Sequence, residues 1–588
     1  MTEKVVDVSS VGLTNYHVTR RSLLRLGAGV LGATAIMPLL AACGDDDTEE
    51  EEPRSGAAEP TAVSEEPEGE DTAEPEGATE NAESGETPEA EGSPEEAGEP
   101  VYGGELIYGL SSDPPNLDPH VSTGTAARAV KLQVYNSLAQ YGRDGTVSPS
   151  LAENWEISDD GMEYTFTLVE GVAFHDGAPF TAADVQASFE RIQDEGIGAT
   201  RFVEFTNISG MELDGDLSIR LMLDAPNASI LEYFAHPETA IMSKGFLDAG
   251  GDPNLTMMGT GPFTFVEREP GVRTVVERNE NYFREGLPYL DRIVFVPYPD
   301  ENTRTAAVIG GDIHIADYVP WRSMQEIEDD PNLVLASALQ SAFMCVIYNV
   351  REAPFDDPAV RHALGYAFDR EAIVEAAFFG RAEPMTGGVI PPGSWAYAED
   401  LEGTFSYDPD RASQLLEEAG YGEGLSVTLM STSQYGMHQN SGEIVQLNLQ
   451  DIGIDCELEL FDWATVVQKH TDSDYQFRIQ GTSGDSNDPN FFTSFFHSES
   501  ANAQSNGFAD EQIDEWLAEG RRTIDEDERK EIYRQIEERV LELSPWTWLV
   551  YRQDGEAVRA TVHGYEHLPG PLGYFSGLTL QETWIDEG

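Results

Sequence analysis

Between Asp45 and Glu99 the chain sets 23 acids against one base, Arg54, in a background of Ala, Gly, Pro, Ser and Thr. Such a stretch has too little apolar surface to bury and repels itself, so residues 44–100 are expected to form an extended, disordered tether. Its plainest use is to hold a folded part away from a surface; a dedicated partner for the acidic run is the alternative. Whatever folds must lie on either side of it.

Residues 1–43 read as an export address. Arg20-Arg21 precedes a weakly apolar stretch, Leu23 to Ala42, which ends in Leu40-Ala-Ala-Cys43. The pair resembles a twin-arginine (Tat) signal, and Leu-Ala-Ala-Cys resembles a lipobox whose cysteine becomes the lipidated first residue. The stretch is long enough to span a bilayer as a plain anchor, but Arg25, three glycines and Pro38 make it a poor permanent span. The expected product is extracytoplasmic and lipid-anchored at Cys43, facing a periplasm or the open cell surface.

Beyond the tether, residues 101–588 hold 83 acids against 29 bases, and the whole 588-residue chain has a formal net charge of −74. That field repels nucleic acid and anionic headgroups, which excludes a nucleic-acid partner. With five lysines in all, the acid-rich surface suggests a high-salt habitat in which repulsion is screened. Three cysteines, Cys43, Cys345 and Cys456, exclude a disulfide scaffold and a cysteine-built metal site.

Strand-like and helix-like pieces alternate, as in α/β architecture. Glu105 to Leu110 and Glu163 to Val169 read as strands. Thr181-Ala-Ala-Asp184 reads as a capping box, and Asp357-Pro358 and Asp408-Pro409 as helix starts. Ile532, Ile536 and Val540 stripe a late helix, and Trp546 to Tyr551 reads as a buried strand. There is no Gly-x-Ser-x-Gly elbow, His-Glu-x-x-His, P-loop or Rossmann fingerprint. His175-Asp176 invites an acid–base reading, but the following Gly177 favours a turn. Trp395, Tyr397, Trp463 and Phe491-Phe492 stand beside Gly, Pro, Asp and Asn, where they could line a cleft or fill a core.

Residues 149–191, from Pro149-Ser-Leu-Ala-Glu-Asn-Trp155 through Phe174-His-Asp-Gly-Ala-Pro-Phe-Thr181 to Arg191, strongly resemble the signature region of the family 5 solute-binding proteins. These are the dipeptide and oligopeptide receptors of ABC importers. Asn116-Leu-Asp-Pro-His120, Gly259-Thr-Gly-Pro-Phe263, Arg304 through Gly311-Asp312, Phe355 through Arg361, Ile390-Pro-Pro392 and Asp485-Ser-Asn-Asp-Pro489 match in the same order. Val169 and Ala173 depart from the basic residues common there. The resemblance implies an α/β fold of the type II periplasmic-binding-protein kind, two lobes closing over a ligand. Lobe I is expected from 101–145, 258–345 and 546–588, with an insert at 146–257, and lobe II from 346–545. Crossing segments are expected near Met344 to Asn349 and Trp546 to Tyr551.

The same resemblance implies that Asp485 holds the α-ammonium group of a peptide, where a carboxylate gives a short, charge-assisted bond; capping the turn before Pro489 is the other reading. Trp463 is expected either to cover a ligand side chain or to pack in lobe II. Asn487, Tyr348, Trp395 and Tyr397 are further candidates for the cleft wall. Thr482 replaces a tryptophan common in oligopeptide receptors. Ser431 to Asn440 lacks the arginine by which dipeptide receptors hold a carboxylate, which argues against a strict dipeptide receptor; either Lys469, His470 or Arg478 substitutes, or the ligand lacks that carboxylate. The implied protein is a monomeric receptor that delivers peptides to separate permease subunits and does no chemistry on them, with neither cofactor nor metal. The alternatives are an oligosaccharide, nickel-chelate or haem receptor and, more remotely, an extracytoplasmic hydrolase or an adhesion protein.

Overall fold

The strand Trp546–Arg559 is the axis of the molecule. It pairs antiparallel with Leu333–Tyr348 from Leu333↔Arg559 to Ile347↔Trp546, with register shifts between Leu339 and Phe343 and between Met344 and Cys345. The computed structural model describes residues 99–586 apart from Ser122, Thr123, Glu423 and Asp485. The export signal with Arg20 and Arg21, the lipobox Cys43 and all of the tether but its last two residues lie outside the described residues.

Among the described residues these two long strands are the middle of an eleven-stranded sheet. On one side of them follow Phe477–Ser483, Leu425–Thr432 and Ile454–Phe461; on the other come Ile315–Ala316, Glu105–Leu110, Arg292–Pro297, Arg273–Arg278 and Phe263–Glu269, and the short Ala382–Pro384 pairs with Trp546–Arg559 off this path. Leu425–Thr432 runs parallel to both of its neighbours, with the helix Gly436–Asp451 as the crossover. A separate four-stranded antiparallel sheet, Ala152–Ile157, Glu163–Leu168, Ser218–Leu223 and Ile208–Leu213, carries its own core of Phe166, Phe189, Phe205 and Phe234.

The apolar runs at 344–349 and 546–551 are buried because helices cover both faces of the sheet there. Met344, Val346 and Tyr348 pack with Leu364 and Val445, whereas Phe343, Cys345 and Ile347 pack with Phe495, Ile536 and Trp548. The larger ladder break lies at Leu339–Phe343, opposite Tyr551–Gln553, a few residues before the expected crossing. Hydrophobicity marks where the strands are sandwiched between helices.

Local signals form the expected elements. Asp184 Oδ2 accepts from Thr181 N at 2.9 Å, closing the capping box of helix Ala182–Ile192. Asp357 and Asp408 cap the helices Pro358–Ala367 and Pro409–Glu418. Ile532, Ile536 and Val540 are buried on helix Glu526–Leu543. His175 to Gly177 is a turn, with the His175 ring donating to Gly261 O at 3.1 Å.

The motifs that carried the resemblance are framework. A Cβ on Gly259 would lie 2.0 Å from Val134 O, and one on Gly261 2.5 Å from Gln133 O, so Gly-Thr-Gly-Pro lies flush on a helix end. Asp118 accepts from Arg191 Nη1 at 3.1 Å, and the His120 ring donates to Ala240 O at 2.8 Å. Arg361 donates to Phe355 O at 2.6 Å and Ser544 O at 3.0 Å, tying its motif to the start of the axial strand. Glu537 Oε1 accepts from Val389 N and Ile390 N at 2.7 and 2.9 Å, holding the Ile390-Pro-Pro turn.

Candidate functional site

Where the axial strand leaves the helix-covered half, its first charged residue is Arg552. Tyr551 beside it belongs to the core on one face, and alternation along a strand turns Arg552 to the other. Its guanidinium meets both halves. Nη1 lies 2.9 Å from the Met437 sulfur, on helix Gly436–Asp451, and donates to the Tyr318 hydroxyl at 3.4 Å, just beyond strand Ile315–Ala316. Asp554, two residues on, approaches Nη2 only to 3.9 Å. Arg552 and Asp554 are 6% and 7% exposed, so neither is satisfied by bulk water. Arg552 Nε and Asp554 Oδ1 have no hydrogen-bond partner among the described residues.

Tyr318 is held unusually, in the left-handed region at φ 54. A non-glycine residue there costs about 1–3 kcal/mol and marks a constrained position. The constraint is Arg304, which donates to Asp317 O at 2.6 Å and Tyr318 O at 2.9 Å. A framework arginine thus fixes the side chain that touches Arg552.

A wall of rings stands next to this floor. Trp463 begins helix Trp463–Thr471 and lies edge-on to Tyr435 at 5.5 Å and to His438 at 5.3 Å between centroids. Gln434 Oε1 accepts from Trp463 N at 3.2 Å. Burial and the nearby Arg552 and Arg478 guanidiniums push His438 down to about 3, so its ring is neutral at ordinary pH, and its Nδ1 has no partner among the described residues. At Arg552 burial favours the neutral form, but Asp554 and Tyr318 outweigh it and hold the side chain charged, above its ordinary value.

The structure brings Trp463 to this place. Asn487 lies at a junction: its Nδ2 donates to Gly145 O at 3.0 Å, linking the loop after Phe477–Ser483 to the turn before Val147–Pro149. Asp485 lies outside the described residues. Tyr348 is a correction. It is fully buried between Phe355 and Phe477, with its hydroxyl 3.0 Å from Thr547 Oγ1, so it is core and not wall. Trp395 and Tyr397 are half-buried and pack against the core that holds Phe343 and Trp548. Trp395 lies 5.1 Å from the Arg529 guanidinium, and Tyr397 donates to Glu402 Oε1 at 3.2 Å, its hydroxyl pushed up to about 12 by burial and that carboxylate.

A groove of about 1000 Å³, which none of these floor and wall residues lines, opens between the segment holding Arg201, Asn207 and Tyr233 and the segment holding Ser483, Phe491 and Arg521. Behind it, Asp488 accepts from Arg529 Nη2 at 2.8 Å and from Ser229 Oγ at 2.9 Å. Sequence reasoning missed Arg552, Asp554, Tyr318, Tyr435 and His438. Arg552 had one local signal, a base ending a six-residue apolar run in a base-poor chain; Tyr318 had none.

Two sheet halves sharing a pair of continuous strands, with a buried charged floor and an aromatic wall at the crossing, define a solute-binding protein. The family model for the bacterial extracellular solute-binding proteins, family 5, matches residues 146–504, and the chain belongs to that family. Over 475 residues it is 32% identical to the glutathione-binding protein GsiB of Salmonella paratyphi A, an alignment covering 79% of this chain and 92% of that one. Among solved structures it is similar to the binding protein AgaA of A. tumefacien R10 in complex with agropinic acid, at 37% identity and a TM-score of 0.72 over 82% of this chain and 99% of that one. It is also similar to the oligopeptide-binding protein AppA of Bacillus subtilis in complex with a nonapeptide, at 26% identity and a TM-score of 0.69 over 83% of this chain and all of that one.

Proposed function

We propose that this chain is the receptor lipoprotein of an ABC importer, exported through Arg20-Arg21, anchored at Cys43 and held off the membrane by its acidic tether. It captures short peptides as a monomer between two lobes and hands them to permease subunits. The observation that carries this reading is the charged floor and ring wall at the strand crossing, in a family whose relatives include a glutathione-binding and an oligopeptide-binding protein. Asp485 takes the ligand's ammonium group, Trp463 covers a side chain without demanding its identity, and Asn487 closes the mouth against Gly145. The residues around 339–343 and 551–553 serve as the hinge. A second reading has one specific support: AgaA, more identical to this chain than AppA is, holds agropinic acid, so the same receptor role for a small non-peptide acid is the runner-up.

Thermal shift of the full chain in molar salt, against pooled peptides, oligosaccharides, metal chelates and opine acids, tests the proposal. A ligand at 100 times its dissociation constant adds about 2.7 kcal/mol to stability. Peptides should raise the melting temperature, and Asp485→Ala should abolish the rise. A shift with sugars or chelates alone overturns the peptide assignment. For the anchor, Cys43→Ser should move the chain from the membrane fraction to the supernatant.

A further inference from the structure

Most buried guanidiniums among the described residues are held by several acceptors; Arg478 and Arg552 are not, Arg478 donating to Gln480 Oε1 with its Nε unpartnered, and of the two it is Arg552 that touches both halves. Arg304, Arg361 and Arg370 each donate to three or more backbone carbonyls, and Arg529 donates to Asp488. Each is held by several acceptors where it stands, although Arg370 Nη2 has no partner among the described residues. Arg552 is as deeply buried, yet its contacts are a thioether sulfur at 2.9 Å, a tyrosine hydroxyl at 3.4 Å and a carboxylate at 3.9 Å. A thioether is a weak acceptor, and the other two distances are long for charge-assisted bonds. A guanidinium held dry without a matched acceptor costs several kcal/mol, and it is retained where a ligand supplies that acceptor.

The other acids of the floor are engaged elsewhere. Asp317 Oδ2 accepts from Ser111 Oγ at 2.7 Å, and Glu556 pairs with His567 at 2.5 Å. Asp554 has its Oδ1 unpartnered and is too distant to neutralise Arg552 by direct bonding. The ladder pairs Ala342 with Ser483 on one side, and Phe343 with Tyr551 on the other. Ser483 and Arg552 therefore stand two strands apart across the central strand, roughly 10 Å at ordinary sheet spacing.

We infer that Arg552 is the anion-binding residue of the site, taking a carboxylate of the ligand through its Nε and Nη groups, and that the receptor selects solutes with a free carboxylate. The inference rests on the receptor reading above but not on the ligand being a peptide. It assigns the anion to the central strand, whereas residues 431–440 carry no arginine to do this work.

The test is isothermal titration of the full chain in molar salt with two probe pools, each as free acids and as neutral carboxamides: tripeptides, and N-carboxyalkyl amino acids of the opine kind. Wild type should bind the acids at least about tenfold more tightly than the amides. Arg552→Gln should weaken acid binding by about a hundredfold and remove the preference, and Arg552→Lys should keep part of it. The acid-to-amide ratio is read within each variant, so a loss of folded protein does not imitate the effect; far-ultraviolet circular dichroism checks the fold. If only opine acids bind, and do so through Arg552, the peptide reading fails and this inference stands. Equal binding of acids and amides by wild type, an unchanged preference in Arg552→Gln, or no acid bound from either pool overturns it.

Discussion

Asp488 and Arg529 allow a magnitude to be worked from the structure. Asp488 takes Arg529 Nη2 at 2.8 and 3.0 Å, Ser229 Oγ at 2.9 Å and Asn490 N at 2.9 Å, with side chains only 4% and 6% exposed. Arg529 also donates to Gly520 O at 2.8 Å and lies 5.1 Å from the Trp395 ring. Removing one member of a buried pair strands the other's charge, at about 3–5 kcal/mol, whereas removing both strands neither. At roughly 2.1 cal/mol/K per residue, unfolding about 490 residues as one unit carries an entropy near 1 kcal/mol/K, so each single change should lower the melting temperature by roughly 3–5 °C. Thermal melts of Asp488→Ala, Arg529→Met and the double variant, followed by circular dichroism and by Trp395 fluorescence, form the cycle. The double variant should melt close to the singles, which is a coupling of about 3–5 kcal/mol. Strictly additive losses, or single losses under about 1 °C, refute the reasoning.

Glu537 is buried and pushed up to about 8, mainly by desolvation, although two backbone N–H bonds oppose the shift. An acid raised above its unfolded value of about 4.5 gives stability that is complete below that value and is lost as pH climbs to about 8, at about 1.4 kcal/mol per pH unit per proton. Glu537→Gln should therefore match wild type near pH 4 and exceed it at pH 8 in urea midpoint, while Glu232, also pushed up to about 8, leaves a residual slope. Parallel curves for variant and wild type contradict this. At Gly259, alanine meets Val134 O at 2.0 Å and should cost roughly 4 kcal/mol or more. At Gly171, with φ 83 and open space, alanine should cost only about 1 kcal/mol from backbone strain. Urea melts that rank the two alike show that the close packing of Gly-Thr-Gly-Pro is not what fixes those glycines.

What could be read from the sequence follows from which forces are local. The capping box at Thr181 and Asp184, the Asp-Pro helix starts and the stripe on Glu526–Leu543 depend on neighbours within four residues, and the structure has them. The buried run at Trp546 was readable as a strand because helices cover it on both faces, whereas the ladder break at Leu339–Phe343 has no local signal in the sequence. Tyr348 has the residue type of a cleft wall and the surroundings of a core, which composition cannot separate. Arg552, Tyr318 and Met437 meet from three distant stretches, with Trp463 against the neighbouring His438, and no spacing rule links them. Tyr318 owes its position to Arg304, a motif residue that marks the family without touching the site.

Closure of the two halves over a solute, about the paired strands near 339–343 and 551–553, is directly measurable. Spin labels at Glu285→Cys and Glu499→Cys, both exposed and on opposite halves, report it by electron–electron distance measurement in the full-length chain carrying Cys43→Ser, since Cys345 and Cys456 are buried. With a solute that raises the melting temperature, the distance distribution should shift by several ångströms and narrow; the same distribution with and without that solute contradicts the account.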